Sequence, residues 1–455
     1  MNTSRYGVLV ICGLVGGLLQ LAPMQRSASA QMCPGDCGGD GIVTIEEIIL
    51  SVNIVNDAAE LDDCLALDRD QDGDVAVDDI IAAVSAVLDG CPDVPATREN
   101  VILNYANLLY ANYGDAIAGA QAVEQAIVSF VDNPSANTLA AAKQAWLDAR
   151  PAYLQTEAAR FYDGPIDNPD DGPEGFINAW PLDESFIDYV EGNPTSGIIN
   201  DPSTYPDLTA ELLASLNEQG GETNIATGWH AIEFLLWGQD RDPAGPGARP
   251  FTDYITGGTA ANQARRATYL RIVAARLIDD LNQVRDQWAP GQAGNYRAEF
   301  LSVDPQEALR RIFTGIGTLS GGELTGERLA TAFDTKDQED EHSCFADNTH
   351  VDHRNDQRGI QNLWLGRYGR INGPGLNDLV SAVNAGLAAQ TTGQMNAASD
   401  AIFGIPVPFD QAILGPYSAL GRVAIAASID ALNLQTDLIA DSAAALGISI
   451  STTVP

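Results

Sequence analysis

The sequence predicts an all-α protein, with two helical bundles behind a small N-terminal module built on two calcium loops. Three observations carry that prediction. Apolar residues recur at spacings of three and four through most of the chain, strand-like alternation is nearly absent, and two aspartate-rich loops with a central glycine repeat in register near the start.

The first element, residues 1–30, reads as a secretory signal. Arg5 precedes an apolar stretch from Tyr6 to Leu21, and Ala28-Ser29-Ala30 offers the small residues that signal peptidase requires. Cys12 follows Val10-Ile11 rather than a small residue, so lipidation is not expected. Once processed, the chain is expected to be exported to a periplasm, an outer cell surface or the medium, and not to be an integral membrane protein; no second apolar run is long enough to suggest a span.

Next come CPGDCGGDGIVTIEEII and LDRDQDGDVAVDDII, two copies of one pattern. In the second, Asp68, Asp70 and Asp72 are spaced so that alternate side chains converge on a cation. Gly73 permits the sharp turn, Asp74 offers its carbonyl, and Asp79 closes the loop. In the first, Asp36, Asp40, Gly41, Ile42, Thr44 and Glu47 take the equivalent places. Gly38 stands where a third ligand side chain is expected, so this loop should hold calcium more weakly. The pairing resembles the dockerin type of EF-hand-like calcium module over residues 33–92, and the resemblance implies a cohesin-like or other envelope protein as partner. Ile48, Ile49, Val52 and Ile80, Ile81, Val84 are expected to pack the two helices together. Cys33, Cys37, Cys64 and Cys91 bracket the loops. In an exported unit too small for a generous core they read as two disulfides of open connectivity, which leaves Cys344 without a partner.

After the stiff linker Cys91-Pro-Asp-Val-Pro95 the pattern changes to long helices. Helical periodicity covers residues 101–131, 137–162, 207–218, 222–237, 260–288, 305–333, 374–390 and 410–446. The loop RDPAGPGARP, residues 241–250, reads as the boundary between one bundle at 97–240 and a second at 251–453. Within TGIGTLSGGELTG the glycines suit close helix packing better than phosphate binding, since no strand precedes them.

A net charge of −38, from 62 acids against 24 bases, repels phosphate backbones and removes nucleic acid from the candidate partners. The same surface attracts metal ions, and it also keeps a protein soluble in salt. What general acidity does not explain is where the four histidines fall. His230 lies in GWHAIEFLLWGQD; His342, His350 and His353 share DQEDEHSCFADNTHVDH. On a helix, His230 and Glu233 are one turn apart, their Cβ atoms about 5–6 Å from each other, so they can serve one cation or share a hydrogen bond. Ala231 and Phe234 stand where a zinc protease of the H-E-x-x-H kind needs its base and second histidine, so that site is absent here.

RFYDGPIDNPDDGPEGFINAWPLDESFIDYV, the G-x-H-x-x-E of GWHAIEFLLWGQD, and GERLATAFDTKDQEDEHSCFADNTHVDH together resemble the imelysin-like family, which includes the bacterial iron-regulated protein A type. The resemblance covers about 97–453. It implies two α-helical bundles related by an approximate internal duplication, with a site between them at Gly228, His230 and Glu233. It also implies one of two activities, a part in iron uptake or cleavage of a peptide.

Two ligands do not complete a metal site. The candidates to join His230 and Glu233 are Asp183 and Glu184 in WPLDES, and Asp337, Glu339, Asp340, Glu341 and His342 in the acidic stretch, most of whose carboxylates are expected on a solvated face; Asp340 and His342 are retained. Oxygen donors with one or two imidazoles suit iron, zinc or manganese. The reading favoured is an exported binder of a transition metal, iron or zinc, that serves iron acquisition. Against it stand a metallopeptidase in which Glu233 or a carboxylate near Asp340 activates a metal-bound water, and a ligand-free helical scaffold. Binding is expected to weaken as pH falls toward about 6.5, where an ordinary histidine protonates.

Overall fold

In a computed structural model, the structure describes residues 33–37, 43–56, 58–68, 74–89, 94–242 and 244–454. The signal at 1–30, the loop positions Asp40, Ile42, Asp70 and Asp72, and Cys91 lie outside them.

In the small module each candidate loop leads into a helix, Ile45–Val55 and Val77–Asp89. Both helices start the same way. Glu47 accepts from the backbone N–H of Thr44 at 2.7 Å, and Asp79 accepts from that of Ala76 at 2.9 Å, so each loop-closing carboxylate caps its own helix. A disulfide joins Cys37 to Cys64, and Cys33 is also disulfide-bonded. The expected interhelical packing is only partly present. Ile48 and Ile80 are half-buried, but Ile49, Val52, Ile81 and Val84 are exposed. The core forms on the other face, where Ile54, Cys64, Ala66, Leu67 and Ala83 meet. The 3-10 turns Leu61–Asp63 and Leu65–Leu67 and the Cys37–Cys64 bond bring that face together.

The rest is all-α. Among the described residues the only paired strands are the two-residue Arg367–Tyr368 and Ile371–Asn372. Arg98–Asp132 packs along Ala136–Leu154 and along Gln263–Gln287, so the chain crosses the 241–250 loop and returns to the same group of helices. Leu376–Phe403 and Leu420–Ala445 pair in a second group. Between them runs Thr349–Leu365, which touches both Leu376–Phe403 and Ala136–Leu154. One apolar core extends through the seam and holds Trp146, Trp229, Trp288 and Trp364 fully buried.

Thr349–Leu365 was not marked by periodicity, because its buried positions include Asp352, His353, Asp356 and Gln357. Leu319–Ala330 continues the helix from Pro305 as π-helix, and its glycines answer to packing. A Cβ on Gly321 would meet Thr436 at 2.7 Å, and one on Gly322 would meet Val454 at 2.8 Å. Among the described residues Leu420–Ala445 is long and apolar enough to cross a membrane, by length and composition. It is a helix of the second group, with Arg422, Ser428 and Gln435 buried. Cys344 is a free, buried thiol.

Candidate metal centre

The helix Gly228–Trp237 is buried along its whole length. Its position is set at several points. The Trp146 indole N–H donates to the Trp229 carbonyl at 3.1 Å, and the Tyr254 hydroxyl donates to the Leu235 carbonyl at 2.7 Å. Gly228 has φ of 86°, and a Cβ there would stand 2.5 Å from the Ile177 carbonyl oxygen, so both backbone angle and clearance require glycine. That approach holds residues 176–178 close to the helix, and Asn178 Nδ2 lies 3.4 Å from His342 Nε2.

His230 and Glu233 share a hydrogen bond, Nδ1 to Oε2 at 2.8 Å, both fully buried. The other Glu233 oxygen accepts from the backbone N–H of Ala346 at 2.9 Å. The free side of the imidazole faces His342, with the two Nε2 atoms 3.2 Å apart and the rings nearly perpendicular at 76°. His342 repeats the arrangement on its own side. Its Nδ1 lies 2.5 Å from Asp352, which also accepts from Ser343 at 2.6 Å and from Arg150 at 3.0 Å. Arg150 is enclosed by the rings of Trp146, Tyr153 and Trp229, and its second arm donates to Asn178 at 2.7 Å. The half-buried Trp180 lies against the pair, 4.8 Å from the His230 ring and 6.3 Å from that of His342.

Burial pushes both imidazoles well below the usual histidine range and pushes the Glu233 carboxyl well above the usual carboxylate range. One assignment of protons satisfies every contact. Glu233 donates to His230 Nδ1, His230 Nε2–H donates to His342 Nε2, and His342 Nδ1–H donates to the Asp352–Arg150 pair. In this assignment one proton lies between the two imidazoles, which are backed by the Glu233 carboxyl and the Asp352 carboxylate.

The sequence candidates divide. His230, Glu233 and His342 come together, but Glu233 faces the far nitrogen of His230 rather than the gap between the rings. Asp183 caps the short helix Glu184–Ile187, accepting from Ser185 at 2.9 Å. Glu184 reaches Gln239 at 3.4 Å, and Asp340 stands in the 3-10 turn Gln338–Asp340; neither has a contact with the histidine pair. Among the described residues no three His, Cys, Asp or Glu side chains are gathered around one metal position. His353 is buried against Phe409, and burial lowers it to about 3. Asp352, Arg150, Asn178 and Trp180 were not read from the sequence as part of this centre. The one available signal was the proximity of Asp352 to His342 in the chain.

The sequence profile described as Imelysin (Peptidase_M75) matches residues 109–439. The chain belongs to the imelysin family. It is 25% identical over 368 residues to iron-regulated protein A of Synechococcus elongatus, covering 78% of this chain and 90% of that one. Its fold is similar to a crystal structure named as an iron-regulated protein A precursor from Parabacteroides distasonis, with TM-score 0.59, 19% identity, and 78% and 96% of the two chains covered. An imelysin-like protein from Psychrobacter arcticum is similar at TM-score 0.55 and 14% identity, over 79% of this chain and 98% of that one. The imelysin fold spans the helical part, and these relatives bear out the all-α reading.

Proposed function

We propose that this imelysin-family protein is exported and binds a transition metal, iron before zinc, between His230 and His342, in the service of iron acquisition. The observation that carries the reading is the 3.2 Å gap between the two Nε2 atoms, each ring oriented from behind by a carboxylate. Two metal–nitrogen bonds of about 2.0–2.1 Å that meet at about 103° span the same distance, between the angles of octahedral and tetrahedral ligand sets. Carboxylate-backed imidazoles are the usual outer support of such ligands. When bound, the metal supplies a Lewis-acidic centre. The chain's own part is to surrender the proton held between the rings, to pass the Glu233 proton to Nδ1 of His230, to keep Nδ1–H of His342 directed at Asp352, and to shield the pair beneath Trp180. The names of the relatives, iron-regulated protein A among them, support iron.

The peptidase alternative needs a carboxylate aimed at a metal-bound water. Both Glu233 oxygens are engaged, with His230 Nδ1 and the Ala346 N–H, which favours the binder. Calorimetry with iron(II), without oxygen and with calcium saturating, tests the proposal. Wild type is expected to bind one iron and release about one proton, and His230→Ala and His342→Ala to lose both signals. Equal binding by wild type and both variants would sink it.

The small module is proposed as a calcium-dependent attachment. The ligands are Asp36, Asp40, the Ile42 carbonyl, Thr44 and Glu47 in one loop, and Asp68, Asp70, Asp72, the Asp74 carbonyl and Asp79 in the other. Support comes from the identical capping of the two helices and from apolar residues exposed at matching places, Ile45 with Val77, Ile49 with Ile81, Val52 with Val84 and Val55 with Val87. A doubled apolar face of this kind suits a cohesin-like or other envelope protein. The Cys37–Cys64 bond and the processing site after Ala30 agree with export.

A further inference from the structure

We infer that the helical part holds a second cation site, for a hydrated hard divalent ion of the calcium and magnesium class, at Asp240, Glu341, Asp347 and Asp410. It is separate from the imidazole pair. The four residues come from three distant segments, which are the turn after the helix Gly228–Trp237, the loop around 337–348, and the short helix Phe409–Ile413. Gln338 donates to the Asp240 carbonyl at 2.8 Å and the Gly247 N–H donates to the Phe345 carbonyl at 2.9 Å, which fixes the first two segments together.

Three of the four carboxylates, Asp240, Glu341 and Asp410, are buried and under-satisfied, and Asp347 is half-buried beside them. Asp410 is 3% exposed, yet neither of its oxygens has a hydrogen bond of good geometry; the N–H groups of Asp410 and Gln411 only face it. Asp240, also 3% exposed, accepts from Asp242 with one oxygen and has no donor for the other. Glu341, 1% exposed, receives Thr349 on one oxygen and nothing on the second. Asp347, held at φ of 54°, brings its carboxyl within reach of that of Asp240. The charges that face these groups are each other, Asp242 and Glu339. An uncompensated buried carboxylate is costly, and repulsion among several adds to the cost.

A proton or a cation can relieve it. A shared proton serves the Asp240–Asp347 pair but leaves both oxygens of Asp410 and one of Glu341 open. A divalent ion serves all of them at once. Since no three ligands already converge, the ion is one that keeps part of its water shell and is held through one or two carboxylates directly. Its route is an open acidic cleft of about 630 Å3 that Asp240 lines with Glu191, Asp337 and Glu339.

The test counts calcium and magnesium bound to the full chain by calorimetry, in wild type, Asp410→Asn, Asp240→Asn and His230→Ala, with melting followed in each. Wild type and His230→Ala should bind one ion more than either asparagine variant. Calcium should raise the melting temperature of the first two and leave the helical part of the asparagine variants unmoved. Equal counts in all four proteins would overturn the proposal, and an asparagine variant that is stabilised alike with and without cation would assign the cluster to shared protons. The two near-isosteric variants act on different segments, so a folding defect in one leaves the other to decide.

Discussion

Gly228–Trp237 and Thr349–Leu365 are both buried helices that build the same centre, and they reach burial by opposite routes. The first is apolar around its whole circumference and carries its ionisable pair as a local exception, with His230 and Glu233 answering each other one turn apart. The second turns its polar side inward, and its buried Asp352 and Asp356 are answered from elsewhere, by Arg150 and by Arg328. Arg328 also pairs with Glu157 at 2.7 Å, which in turn pairs with Arg160 at 2.8 Å. Although burial alone would raise Glu157, these arginines outweigh it and hold its carboxyl low. The difference teaches that an apolar helix can hold a charged pair by sequence-local means, whereas a polar helix in a core depends on the tertiary structure being complete.

The sharpest way to break that comparison is to remove the distant partner. Arg328→Ala is expected to destabilise the protein by about 3–5 kcal/mol in denaturant titration, because it leaves Asp356 buried without its arginine and Glu157 with Arg160 alone. Glu233→Gln, which keeps a local hydrogen-bonding group, should cost far less stability. If the two cost the same, the distinction between local and distant compensation fails.

Asp352→Asn is next in size. It should lower iron affinity by about 10–100-fold, through loss of the group that orients His342 from behind, with the His230 side intact. An unchanged affinity would mean that His342 is positioned by Asn178 and the backbone alone.

A third measurement follows metal affinity against pH. Burial lowers both imidazoles, so the rings stay neutral through the range where an exposed histidine protonates. Because one proton leaves from between the rings on binding, affinity should fall by about tenfold per pH unit below neutrality, with no extra steepening at about 6.5, where an unperturbed histidine would begin to protonate. A break to a steeper slope at about 6.5 would show that the rings are solvated in the metal-free protein.

The smallest effect concerns stability in the absence of divalent ions. Burial raises Asp240 to about 6 and Asp347 to about 7, so the folded state binds more protons than the unfolded state between the ordinary aspartate range and those values. By linkage, stability should fall as pH rises through about 6 to 7. Melting curves that stay flat across this window in chelator would contradict it.

The long helices and the G-x-H-x-x-E pair were legible because periodicity and chain proximity are local properties. Asp352 was not, since its partner His342 lies ten positions away across a loop whose path no spacing rule gives, and its helix lacks an apolar stripe. Composition names candidates without placing them. Asp183, Glu184 and Asp340 looked like ligands by composition, but one caps a helix and the other two stand apart from the rings. The Pro/Gly-rich loop at 241–250 marks a real turn, yet Gln263–Gln287 returns across it to Arg98–Asp132, a path set by tertiary packing.

The clearance at Gly228 has a consequence for recognising such centres in other chains. Two letters of G-x-H-x-x-E supply donors and acceptors, but the first supplies only empty space, into which the 176–177 backbone fits on its way to Asn178 and His342. Space can be provided by other means, such as a segment that passes farther off. A search that weighs all three letters alike will therefore pass over proteins with the same chemistry and a looser fit, and the spacing of histidine, glutamate and a distant histidine–aspartate pair is the better query.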